Sequence, residues 1–171
     1  MGAVLRNIDR NGERWLLLVF YALIVATIAM EVVRRFGLSY SSVWGEEIAR
    51  YAFIYLAWIG ASSAIRERAH IRIDVVLHYV GPRAKAGIYL FGDFATLTLA
   101  LVALYWSLDP ILTSLKFGSV THGLRISNAW FLAAVPIGFA MMVFRLAQSI
   151  LRDWADLRAG RPVFEGEKLF D

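Results

Sequence analysis

Long apolar runs, separated by shorter segments that carry most of the charge, set the pattern of this chain. Within each run the apolar residues occupy all helical faces, whereas a helix on a soluble core shows one apolar stripe. A helix rises 1.5 Å per residue and a hydrocarbon core is about 30 Å thick, so a span needs about 20 mostly apolar residues. Four runs qualify, at 15–33, 48–65, 86–108 and 126–151. The pattern predicts an all-α integral membrane protein, one membrane domain over 1–171 with four transmembrane helices.

The links add detail. Residues 34–47 carry the Gly, Ser and acidic residues of a turn and helix start. The link 66–85 is too long for a tight turn, and its apolar stretch 71–80 is too short to span. His70, Asp74 and His78 recur every four residues, on one helical face. This predicts a short in-plane amphipathic helix at about 71–80, ended by Gly81 and Pro82. The polar segment from about 160, with its Gly and Pro, reads as a mobile tail.

Composition agrees, at 58% hydrophobic and a mean hydropathy of +0.55. Cysteine is absent, which excludes disulfides and thiolate metal sites. The first run is longer than a signal-peptide core and has no small-residue cleavage site after it, so it reads as a retained helix.

Charge gives orientation. Twelve Lys and Arg lie in the N-terminal arm, the link between helices two and three, and the C-terminal tail. Four (Arg34, Arg35, Lys116, Arg125) lie in the opposite loops. The positive-inside rule then places both termini in the cytoplasm, in a bacterial inner membrane. Trp15 and Trp154 fall at one boundary and Trp44, Trp106 and Trp130 at the other, as an aromatic belt requires, while Trp58 is mid-span. The basic excess is thus a topology signal, and no basic run interleaved with aromatics suggests nucleic acid.

Four ionisable residues fall at membrane depth, where charge is expensive. Matched by depth, they suggest two structural pairs, Glu31 with Arg50 and Asp93 with Arg145. An ion or proton pathway is the alternative, but the midplane holds Leu, Ala, Phe and Met. All three histidines lie in links, which argues against haem, and the 70/74/78 ladder lacks a fourth metal ligand. No nucleophile elbow, phosphate loop or carboxylate pair suggests an enzyme or a cofactor. Small residues stand out instead. Ala57, Gly60, Ala61 and Ala64 on helix two, and Ala133, Ala134, Gly138 and Ala140 around Pro136 on helix four, permit close helix approach.

The string EEIARYAFIYLAWIGASSAIRERAHIRID at 46–74 resembles the signature of the small membrane subunit of tripartite ATP-independent periplasmic (TRAP) transporters. The matching features are the acidic pair Glu46 and Glu47, Arg50, Trp58, Gly60 with Ala61, His70 and Asp74. The close match covers about a sixth of the chain, and four-helix topology agrees over the rest. The resemblance implies a scaffold subunit of a sodium-driven importer of organic acids. Its partners would be a large membrane subunit, which moves the substrate, and a periplasmic substrate-binding protein. Glu46 and Glu47 would then either help dock the periplasmic partner or cap helix two. Two other readings keep four helices: an autonomous small exporter, or an assembly subunit of another membrane complex. The exporter needs a mid-helix carboxylate in the first span, whereas Glu31 lies about 24 Å along it.

Overall fold

Helix formation follows the apolar runs and outlasts them. The computed structural model describes residues 2–40, 42–66 and 81–159. They form α1 (Gly2–Gly37), α2 (Val43–Arg66), α3 (Pro82–Trp106), α4 (Leu108–Lys116) and α5 (Ala129–Arg158). Four stretches are long and apolar enough to cross a membrane: Asn11–Gly37, Val43–Ile65, Gly87–Lys116 and Ala129–Arg158. The chain is therefore an all-α, multi-pass membrane protein. The expected in-plane helix at 71–80, with His70 and Asp74, and the tail from about 160 lie outside the described residues.

The helices extend past the expected spans because apolar length marks what lipid covers, while backbone hydrogen bonding continues wherever propensity allows. Arg34 and Arg35 occupy the last turn of α1, where the partial negative charge of the helix end favours cations. Ser39 then turns the chain with φ 52°. Pro82 opens α3 after an extended Gly81, a position where proline's missing N–H costs nothing.

The third span differs most from expectation. It was expected to end at 108, but helix resumes at Leu108 after a break at Ser107. Pro110 explains the break: it has no N–H for the carbonyl of Trp106, and its ring crowds that carbonyl. Gly118, at φ 60°, closes α4 in the left-handed conformation glycine tolerates best.

α1 packs on α2, α2 on α5, and α5 on α3 and α4. α5 is the most enclosed helix, and its buried positions include Ala134, Pro136, Gly138 and Leu146. A small core of Ile65, Ala100 and Leu146 is wrapped by Leu97, Phe139, Met142 and Val143. Large apolar side chains on α1 and α3, such as Val19, Val33, Phe91 and Leu99, remain exposed. Such faces suit hydrocarbon or another helix.

Candidate functional site: polar anchors at the two ends of the bundle

At the end carrying loops 38–42 and 117–128, the two residues of the acidic pair part company. Glu46 is exposed, whereas Glu47 is buried. The Glu47 Oε2 accepts hydrogen bonds from the backbone N–H of Gly123 at 3.0 Å and of Leu124 at 2.7 Å. Tyr51, one turn on, donates its hydroxyl to Oε1 at 2.8 Å. A carboxylate bound this way ties a loop 76 residues away to the start of α2, with charge-assisted hydrogen bonds that are stronger than neutral ones. The approach is close. A Cβ at Gly123 would lie 2.7 Å from Glu47 Oε2 and 3.0 Å from the backbone of Trp44. The loop itself is shaped by the Thr121 N–H to Ile126 carbonyl bond, 2.9 Å, and by Arg125 at φ 52°. Glu47 is thus neither a simple cap nor a free docking charge.

Glu31 behaves similarly. It accepts a short hydrogen bond from the Ser42 hydroxyl and another from the Ser42 N–H at 3.3 Å. Arg34, one turn on, approaches it at 3.7 Å and lies over the Trp44 ring at 4.9 Å. The expected partner, Arg50, has an exposed side chain. The contacts Glu31 does make are local, to the same helix end and the adjoining loop.

The opposite end carries the start of α1 and the end of α5. Here Arg145 of α5 donates from Nε to Oε1 of Glu13 on α1 at 2.8 Å, with both side chains almost fully buried. Ser62 of α2 donates to the same oxygen at 3.3 Å, and Arg145 also donates to Gln148 Oε1 at 2.7 Å. Asp93 of α3 accepts from Ser149 at 2.9 Å. Arg145 is thus ion-paired with Glu13, a partner the sequence analysis did not name. Asp93 engages α5 one turn further along, so all four spanning helices contribute polar groups at this end. Glu13 escaped the sequence analysis because it precedes the apolar run. The available signal was its place, within one turn of Trp15 on a helix already under way.

Between the two ends the contacts are apolar and tight. A Cβ on Gly138 of α5 would lie 2.6 Å from the Trp58 Cβ of α2, and Trp58 packs on Phe139 with ring centroids 4.7 Å apart. Tyr51 meets Phe131 at 4.9 Å, and Tyr55 stacks on Phe20 at 5.5 Å. Gly60, one of the small residues expected to permit close approach, has room to spare: a Cβ there would meet only Leu17 at 3.7 Å. Ala61 is half-buried beside it. Among the described residues, no group of His, Cys, Asp or Glu is arranged to hold a metal ion.

The sequence profile of the DctQ component of tripartite ATP-independent periplasmic transporters matches residues 14–156, which takes in every polar anchor above except Glu13. The chain belongs to that family. The sialic acid TRAP transporter small permease protein SiaQ of Vibrio cholerae serotype O1 is 26% identical over 86% of this chain and 84% of its own length. The isethionate TRAP transporter permease protein DctMQ of Oleidesulfovibrio alaskensis is 28% identical over 86% of this chain, which spans only 24% of that protein. The sialic acid TRAP transporter permease protein SiaT of Haemophilus influenzae is 23% identical over 80% of this chain and 22% of its own length. A DctQ-family chain is a transporter component. The signature residues serve unequal roles here: Glu47 and Trp58 make internal contacts, while Glu46 and Arg50 stay at the surface.

Proposed function

We propose that this chain is the scaffold subunit of a sodium-coupled importer of organic acids. It holds a large membrane subunit and does not itself carry substrate or ions. The observation that carries the reading is the use of its charges: Glu13, Glu31, Glu47 and Arg145 are engaged in contacts that join its own helices and loops. They cluster towards the two ends, whereas secondary transporters place substrate groups near the midplane, on broken helices or buried polar side chains. The middle of this bundle is filled by Trp58, Phe139 and Gly138. The exposed apolar faces of α1 and α3 supply surface for a second membrane protein. Sialic acid and isethionate, named for the relatives, are both organic anions, in keeping with an organic-acid substrate. The twelve-to-four basic asymmetry supports an inner-membrane location with cytoplasmic termini and with loop 117–128 on the periplasmic side, near the binding protein.

Co-purification tests the assignment. A tagged chain extracted from its own cells in mild detergent is expected to retain a large multi-span membrane protein in fixed proportion. Recovery of the chain alone, in a detergent that preserves its helices, would contradict the scaffold reading. The autonomous-exporter reading predicts that recovery, but its required carboxylate is already engaged: Glu31 binds Ser42 at the helix end.

A further inference from the structure

The break between α3 and α4 opens a cleft of about 530 Å³ that no contact described above uses. Its lining includes Trp106, Asp109, Ser114, Asn128 and Leu132. We propose that this cleft binds a phospholipid bearing a primary-ammonium headgroup.

Depth is the first argument. The third apolar run begins at 86, and from there to Trp106 the helix rises about 30 Å, which fills the hydrocarbon core. Ser107 and α4 therefore sit at headgroup level. Trp106 and Trp130, both well exposed, mark the same boundary. α4 also exposes Leu108, Leu112 and Leu115, one stripe at spacings of four and three, as a helix lying along the acyl boundary does.

Chemistry is the second argument. Asn128 lines the cleft, and its side chain makes no capping hydrogen bond at the start of α5. A polar side chain in that position is open to an acceptor or donor from outside the chain. Asp109 is exposed, and no described residue forms an ion pair with it. The lining contains no Lys or Arg. The cleft is thus anionic, with an indole wall suited to a cation, and its apolar share, Leu132 and Pro110, suits the glycerol end of a lipid. An ammonium pairs with Asp109, while Asn128 supplies a hydrogen bond to a phosphate or ester oxygen. An anionic headgroup without the ammonium would meet the Asp109 carboxylate unpaired. The inference holds for either orientation of the chain and does not depend on the transport reading.

The test is native mass spectrometry of the full chain, delipidated in detergent and titrated with phosphatidylethanolamine or phosphatidylglycerol of matched acyl chains. Phosphatidylethanolamine is expected to bind about fivefold more tightly, the scale of one exposed ion pair. Asp109→Asn should abolish that preference with the melting temperature unchanged, since the side chain is exposed. Asn128→Ala should weaken binding of phosphatidylethanolamine while leaving the preference in place. Equal affinity for the two lipids, or an unaltered preference in Asp109→Asn, would overturn the proposal. Glycerophosphoethanolamine, which lacks acyl chains, separates a lipid site from a site for a soluble cation. Displacement of the lipid by an equal concentration of it would overturn the lipid assignment.

Discussion

Gly138 and Gly60 both lie on helix faces turned towards a neighbour, yet only Gly138 is there for want of space. At Gly138 a methyl group would overlap the Trp58 side chain, which also packs against Phe139. Gly138→Ala is therefore expected to cost about 1–3 kcal/mol, the usual penalty for overpacking. Gly60→Ala, with its nearest neighbour at 3.7 Å, should be neutral or slightly stabilising, because alanine is the better helix former. Thermal unfolding of the two variants in one detergent checks the contrast, and equal losses would count against the packing described. Small residues at both sites were legible in the sequence. Which of them faces an indole was not, because that depends on the axial register of α2 against α5. Charge follows the same logic. Glu13→Ala leaves Arg145 buried without its carboxylate and should cost about 3–5 kcal/mol. The double variant Glu13→Ala, Arg145→Leu should recover part of the loss, since the guanidinium that faced Glu13 is then removed as well. Unfolding in a denaturing detergent titration measures both, and a double variant no better than the single one would contradict the pairing.

Elements show where local signals end. Run length identified all four spanning helices, because the bilayer imposes a minimum that short links cannot imitate. The ends of those helices were less legible. Pro110 was visible as a helix breaker, but the resumption of helix at Leu108, with Pro110 in its first turn, goes with the packing of α4 against α5. Loop 117–128 shows the same limit. Glu47 stood out as half of an acidic pair, while its partners are backbone amides 76 and 77 residues away, and backbone groups leave no trace in side-chain patterns. Glu47→Gln keeps the shape and weakens the charge-assisted bonds, each worth about 1.5–3 kcal/mol. Hydrogen exchange at Gly123 and Leu124 should then accelerate about tenfold or more while the amides within α5 keep their protection. Unchanged exchange at those two amides would mean that something other than Glu47 fixes the loop.

At the scale of the whole molecule, α2 and α5 form the middle and α1 and α3 the flanks, with charged groups tied off towards both ends. Such a body offers surface more readily than passage. The exposed apolar flanks, carrying Val19, Val33, Phe91 and Leu99, are costless in lipid and available to a membrane partner, because small changes in packing decide helix association there. The sequence predicted this division of labour through its resemblance to the small TRAP subunit and its apolar midplane. It did not name Glu13 for Arg145 or Ser42 for Glu31, since depth alone does not fix rotation about a helix axis. The most direct test is uptake by sealed vesicles carrying a sodium gradient, with the binding protein and a panel of organic anions outside. Vesicles containing this chain alone are predicted to accumulate none of them, and those containing the large subunit as well to accumulate one. Sodium-driven accumulation by this chain alone would contradict the scaffold account.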